Sequence, residues 1–316
     1  MKKILVMGSA GQIGSELVLA LRKIYGENNV VASDIRADVN PQLKNGPFEV
    51  LDILDVPKIT AVVKKYEIDT IYNLVALLSA VGEQKPKLSW DINIGGLVNL
   101  LEIAREHKLS LFTPSSIGAF GPSTPKKNTP QNTVQRPNTI YGVTKVSGEL
   151  LCDYYFKRFG VDTRGVRYPG IISNVTLPGG GTTDYAVEIY YKAIQDKRFI
   201  CNLKAGTFLD MMYMPDAIKA AIDIMEADPT KLIHRNCFNV AAMSFDPEMI
   251  ANEIKKHIPE FEMKYEIDEI RQNIANSWPD NMDDSAAKSE WNWKPQYNLA
   301  SMTEDMLKVL SVKLQK

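Results

Sequence analysis

Tyr141 and Lys145 stand four residues apart in Tyr141-Gly142-Val143-Thr144-Lys145. On a helix they share one face, one turn apart. An ammonium held beside a phenol favours the phenolate, which can then serve as a base nearer neutral pH. Such a pair is common by itself and gains meaning from two companions. Gly8-Ser9-Ala10-Gly11-Gln12-Ile13-Gly14 follows the apolar run Ile4-Leu5-Val6-Met7. Glycines at this spacing allow a tight turn, close approach of a pyrophosphate and close helix–strand packing, and the helix that opens there offers N–H donors to phosphate. Thr113-Pro114-Ser115-Ser116-Ile117 closes a later apolar run. A serine hydroxyl there can hydrogen-bond a substrate oxygen and steady a developing alkoxide. Together these features point to an enzyme that oxidises an alcohol or modifies a sugar.

The elements that must hold these groups are legible from the hydrophobic pattern. Short apolar strands are expected at 4–7, 30–33, 70–74, 109–114 and 163–168, with helices at 13–25, 57–66, 88–106 and 143–159. This alternation predicts a parallel sheet wrapped by helices. Asp55 before Pro57 predicts a helix start, because a side-chain acceptor precedes a proline in the first turn. After Tyr168 the rhythm changes. The segment 173–183 carries Pro178 and the run Gly179-Gly180-Gly181, which predicts a mobile loop. Further on, 215–226 and 247–257 read as helices, 237–241 as a strand, and 278–293 as a Trp-rich stretch. The expected organisation is a dinucleotide-binding domain over 1–173, completed by about 211–242, and a substrate-binding cap made of about 174–210 and 243–316.

Asp34 ends the second strand 20 residues after Gly14, where a carboxylate can accept the adenosine ribose hydroxyls. The same charge would repel a 2′-phosphate, so NAD is expected in preference to NADP, although Arg36 stands nearby. Ile35 adjoins this position. Asp52 and Ile53 follow the third strand and can flank adenine, and Leu74 and Ala76 end the fourth strand beside the pyrophosphate. All four have a second reading as core strand ends. Asn93, in a helix otherwise apolar on one face, can bond an active-site water or the backbone. Tyr168 and Ile171 complete the expected cofactor contacts.

Composition bounds the remaining possibilities. The 316 residues are 45% hydrophobic and 24% charged, the balance of an ordinary globular chain. A net charge of −1, from 37 basic and 38 acidic residues, gives no global attraction to nucleic acid or an anionic membrane. No apolar run reaches the ~18 residues of a membrane span, and no signal peptide is recognisable, so a cytoplasmic location is expected. Cys152, Cys201 and Cys237 are scattered and lack metal spacing, as are His107, His234 and His257, and no metal site is expected.

Serine, tyrosine and lysine in that order, after the glycine turn, resemble the extended short-chain dehydrogenase/reductase (NAD-dependent epimerase/dehydratase) superfamily along nearly the whole chain. LLSA (77–80), PSSIGAFGP (114–122), RYPGII (167–172), GGGTTDYA (179–186), MMYMPDAI (211–218) and SWP (277–279) narrow the resemblance to the short-chain-type L-threonine 3-dehydrogenases. It implies a Rossmann-type, doubly wound parallel α/β sheet with a smaller C-terminal cap, and oxidation of the threonine C3 hydroxyl to 2-amino-3-ketobutyrate with NAD⁺. By motif, Tyr141 would be the general base, Lys145 its electrostatic partner and holder of the nicotinamide ribose, and Ser116 the hydroxyl partner. Ser116 is chosen over Ser115 because it precedes Phe120 by four residues, as in the superfamily's strand-end pattern. Ser79, Thr182, Thr183 and Asp184 would line the amino-acid pocket. The plainer reading makes Ser79 a helix cap and 182–184 the start of the next helix. The helices at 88–106 and 143–159 each carry an apolar stripe, and adjacent helices in this superfamily commonly pair across a dimer axis. With the resemblance, this implies a homodimer with a helix-bundle interface. The alternative is that both stripes only pack on the sheet.

Two other functions fit the same scaffold. A nucleotide-sugar epimerase or dehydratase is one, but dehydratases of the superfamily place Asp-Glu after the catalytic hydroxyl residue, where this chain has Ile117-Gly118. Nucleotide-sugar enzymes also tend to carry Asn soon after the Arg-Tyr pair, where this chain has Pro169-Gly170. The other is a non-catalytic NAD-sensing protein, which would have no use for an intact Ser116, Tyr141 and Lys145.

Overall fold

The computed structural model describes residues 2–176, 179 and 181–315. The elements in chain order are β1 (Ile4–Met7), α1 (Gln12–Tyr25), β2 (Val30–Asp34), β3 (Phe48–Val50), α2 (Val56–Lys65), β4 (Thr70–Asn73), α3 (Ser79–Gln84), α4 (Pro86–Trp90), α5 (Gly96–His107), β5 (Ser110–Phe112), β6 (Ser115–Ser116), α6 (Ile140–Phe159), β7 (Thr163–Arg164) and β8 (Val166–Tyr168). They continue as β9 (Gly170–Ile172), α7 (Tyr185–Gln195), β10 (Arg198–Cys201), β11 (Leu209–Tyr213), α8 (Met214–Glu226), β12 (Phe238–Asn239), β13 (Met243–Phe245), α9 (Pro247–Lys255), β14 (Glu262–Tyr265), α10 (Glu269–Ser277), α11 (Ser285–Trp291) and α12 (Leu299–Leu314). The chain divides into two units, 1–119 with 138–167 and 218–238, and 120–137 with 168–217 and 239–316.

In the first unit a six-stranded sheet runs in the order β3-β2-β1-β4-β5-β7. Every pairing in it is parallel. β1 is buried at all four positions, as a central strand covered on both faces must be. The strand order reverses beside β1, which opens a crevice at the carboxyl ends of the strands where such sheets bind ligands. Leu17, Val18 and Leu21 turn one face of α1 onto this sheet. Asp55 starts α2 as expected, its carboxylate accepting the Lys58 N–H at 3.1 Å.

Two expectations need correction. Residues 163–168 are not one strand. Gly165 separates β7, in the six-stranded sheet, from β8, in a three-stranded sheet of order β12-β8-β6. A Cβ at Gly165 would lie 2.3 Å from the Thr113 carbonyl oxygen, and its own N–H and C=O bond Arg235 and Phe238 instead of continuing the first ladder. The helical path expected at 88–106 begins earlier, at Pro86, and widens into a π-type turn at Asp91–Gly95 before α5. Asn93 sits in that turn, and such turns commonly mark functional positions.

In the second unit β11 lies between β9, parallel, and β13, antiparallel. β10 and β14 pair separately, and α7, α9 and α12 pack on one another. α12 opens with a reciprocal cap between Asn298 and Ser301, and Tyr190 on α7 bonds the Thr303 hydroxyl at 2.7 Å. Of the expected mobile loop at 173–183, residues 177, 178 and 180 lie outside the described residues. Among the described residues no helix is long and apolar enough to cross a membrane.

Candidate active site

Helix α6, which carries Tyr141 and Lys145, starts three residues earlier than its apolar pattern implied. Thr139 Oγ1 accepts the Gly142 N–H at 3.1 Å, and Glu83 from α3 accepts the Ile140 N–H at 2.7 Å. These caps carry Tyr141 into the first turn of α6, with Lys145 one turn on. The Lys145 ammonium donates to the Pro114 carbonyl at 2.8 Å and stands 5.4 Å from the centre of the Tyr141 ring. Ser116 Oγ accepts the Gly118 N–H at 3.1 Å, which leaves its own proton to be donated. A Cβ at Gly118 would lie 3.3 Å from the Tyr141 ring and 3.5 Å from Ser116 Oγ. The phenol ring and the serine hydroxyl therefore converge over Gly118, and Ser116, Tyr141 and Lys145 form one constellation.

Ser115 has another task. Its buried hydroxyl donates to Glu149, which takes Arg167 Nε at 3.0 Å and Nη2 at 2.8 Å. Both charged side chains are 7% exposed. Burial works against the Arg167 charge, but the Glu149 carboxylate outweighs it and holds the guanidinium above its ordinary value. Sequence reasoning passed over Glu149 and Arg167. The available signal was Tyr141, Lys145 and Glu149 recurring every fourth residue.

At the other end of the crevice the glycine turn has the predicted form. Gly8 adopts φ +79°, and a Cβ at Gly14 would fall 2.3 Å from the Gly8 carbonyl oxygen. Gly11 caps α1 without a side-chain bond, and no acidic residue occupies the first turn. The N–H groups there are thus uncontested for an anion. Ser9 Oγ and Gln12 Nε2 are buried with no hydrogen-bond partner among the described residues. Unmet donors around a cradle too tight for any Cβ fit a pyrophosphate. Leu74 crosses directly over Gly8, its carbonyl carbon 3.0 Å from a would-be Cβ.

Asp34 accepts the Ala10 N–H at 3.0 Å and pairs with Arg36 at 3.1 Å, while Arg36 Nη2 reaches the Ala10 carbonyl. Ile35 is 65% exposed beside it, an apolar surface of the kind an adenine covers. Asp52 bonds the Leu54 N–H, and Ile53 is buried in the core against Gly96. Asn93 is committed to backbone: it accepts from Leu77 N–H at 2.8 Å and donates to Leu77 C=O at 3.1 Å, and it also reaches Thr144 Oγ1. Ser79 begins α3, but the cap position is Leu78, with no side-chain cap bond.

In the second unit Tyr168 is buried and donates to the Ala217 carbonyl at 2.6 Å, and burial holds its phenol far above the ordinary range. Ile171 is half-buried on β9. Thr182 is buried, Thr183 packs on Gly170, and Asp184 precedes α7, its carboxylate taking the Gly181 N–H.

Known proteins resemble this chain along its length. The model of the NAD dependent epimerase/dehydratase family matches residues 4–241. An uncharacterised epimerase/dehydratase from Staphylococcus haemolyticus is 56% identical over 316 residues, 100% of this chain and 99% of that protein. Among solved structures, L-threonine dehydrogenase from Clostridium difficile is 58% identical with a TM-score of 0.97, covering 99% of this chain and 98% of that one. A monomeric L-threonine 3-dehydrogenase from a metagenome is 43% identical with a TM-score of 0.94, covering 99% and 100%. The glycine cradle and its unmet donors suit the nicotinamide cofactor for which the family is named, and the chain belongs to the NAD dependent epimerase/dehydratase family.

Proposed function

We propose that this protein oxidises the C3 hydroxyl of L-threonine to 2-amino-3-ketobutyrate with NAD⁺. The observation that carries the reading is the convergence of Ser116 and Tyr141 over Gly118, with Lys145 tied to Pro114, in a chain 58% identical to a solved L-threonine dehydrogenase. Tyr141 takes the hydroxyl proton as the C3 carbonyl forms. Ser116 donates to the reacting oxygen, and Lys145 supports the phenolate. The nicotinamide, when bound, accepts the C3 hydride. The glycine turn with Gln12 and Ile13 takes the pyrophosphate, Asp34 the adenosine ribose, and Ile35, Asp52, Leu74 and Ala76 flank the nucleotide, while Asn93 orders the Leu77 backbone. For the amino acid, Ser79, Thr182, Thr183 and Asp184 are the residues that the resemblance implies, and its two charges need polar partners once water is excluded.

The test is NADH formation with L-threonine, set against UDP-glucose and UDP-galactose. Tyr141→Phe, which removes only the ionisable hydroxyl, should lower kcat by about 10² or more and spare NAD⁺ binding. Turnover of a UDP-sugar but not threonine would transfer the protein to the epimerase reading. Equal efficiency with NADP⁺ would remove Asp34 from its role. We also infer a homodimer. Val143, Leu150 and Tyr154 leave an apolar stripe on α6, 39%, 63% and 52% exposed, with Leu88 and Trp90 exposed on α4. Light scattering that found a monomer, as in the metagenomic relative, would show instead that this stripe stays in water.

A further inference from the structure

We propose that the buried Glu149–Arg167 pair is a register lock that decides which of two adjacent serines faces Tyr141. The proposal rests on the catalytic reading above. β6 is two residues long, and both residues are serine. Side chains alternate across a strand, so a slip of one residue exchanges the faces of Ser115 and Ser116. A hydrophobic pattern normally opposes such a slip, because it would turn core residues into water. Here the two residues are chemically identical, and hydrophobicity cannot tell them apart.

Directional bonds can. The Arg167 fork grips both oxygens of Glu149, at 3.0 and 2.8 Å, and so sets the plane of the carboxylate. The carboxylate presents Oε1 to the Ser115 hydroxyl. One turn back on α6, Lys145 holds the Pro114 carbonyl at 2.8 Å. Two consecutive residues of the strand end, Pro114 and Ser115, are thereby pinned to the helix that carries Tyr141, and Ser116 is left facing the phenol over Gly118. A buried ion pair is weak evidence of stability, since well-packed apolar residues often do as well, and its better-attested use is to select one arrangement among near-equals. Glu149 and Arg167 act through Ser116 and are positioning residues.

Ser115→Ala removes one pin and leaves the ion pair intact. Glu149→Gln weakens the fork. Hydrogen–deuterium exchange of the peptide spanning 113–120, read by mass spectrometry on the full chain, should speed up about tenfold in Ser115→Ala with the rest of the protein unchanged. With NAD⁺ and L-threonine, kcat should fall about tenfold, while the Kd for NAD⁺ and the KM for threonine change by less than about twofold. Glu149→Asp, which keeps the charge on a shorter arm, should recover part of what Glu149→Gln loses. Unchanged exchange at 113–120, a uniform loosening of the whole chain, or a normal kcat in Ser115→Ala would overturn the proposal. If Glu149→Gln does not fold, Ser115→Ala decides alone. Tyr141→Phe serves as the control: retained turnover there would defeat the catalytic reading, while the exchange data would still decide the lock.

Discussion

Two glycine-rich segments look alike on paper and differ in the fold. In 8–14 two of the three glycines are compulsory: Gly8 needs a positive φ, and Gly14 sits so close to the Gly8 carbonyl that no Cβ fits. Around Gly179 and Gly181 the backbone crowds less. A Cβ at Gly179 meets nothing within 4 Å, and one at Gly181 meets the Asp184 carboxylate, the end of a side chain. The first segment uses glycine for close approach of backbone to backbone and to a ligand. The second leaves room for substitution. Glycine count alone says little, because the demand for glycine comes from what packs against it.

The sharpest way to break this comparison is Gly14→Ala. Its Cβ would collide with backbone that cannot yield without moving α1 from β1, so affinity for NAD⁺ should fall by about 10² or more. Fluorescence titration measures this, and near-normal binding would show that the cradle is less tight than its geometry implies. Thr183→Ala should have the next effect. It removes the side chain packed on Gly170 and should raise the KM for threonine about tenfold and lower kcat, with the Kd for NAD⁺ nearly unchanged. Lost cofactor affinity with an intact threonine KM would move this segment to the nucleotide site.

Buried carboxylates extend the comparison. Glu149 in the first unit meets Arg167, whereas Asp210 on β11 accepts the Met282 N–H at 2.6 Å. Burial pushes the Asp210 carboxyl up to about 8, opposed by that hydrogen bond and reinforced by Asp284. Its folded value thus exceeds its unfolded one. Between about pH 4 and pH 8 the unfolded chain releases a proton that the folded chain retains, so this group's contribution to stability falls as pH rises through that window and levels off above it. Asp210→Asn keeps an acceptor and abolishes ionisation. Its Tm should match the parent near pH 4 and exceed it by roughly 8 °C near pH 8. A gap independent of pH would mean that Asp210 is charged in the fold. The smallest effect belongs to Gly179→Ala, which should leave NAD⁺ affinity within about twofold and stability within about 0.5 kcal/mol. A large loss there would erase the distinction between the two glycine segments.

Much of the first unit was legible from residue order. Helix and strand periods, a side-chain cap at Asp55 and the required glycines are local properties, each settled within about one turn or one strand of chain. The placing of Tyr141 and Lys145 one turn apart on a helix was legible for the same reason, since a spacing of four is meaningful as soon as the segment is helical. The second unit was less readable. α7, β10, β11, β13, β14, α10, α11 and α12 follow short or mixed patterns whose burial depends on partners distant in the chain. The division of labour between Ser115 and Ser116 lay further still from local pattern. The two are identical in type and adjacent in sequence, and what separates them is a carboxylate 34 residues on, oriented by a guanidinium 18 residues beyond that. Sequence determined that a hydroxyl would stand at the end of this strand. The resemblance singled out Ser116, but only the tertiary structure supplies the physical reason, because alternation across a strand is a matter of register, and register here is set by hydrogen bonds between elements far apart in the chain.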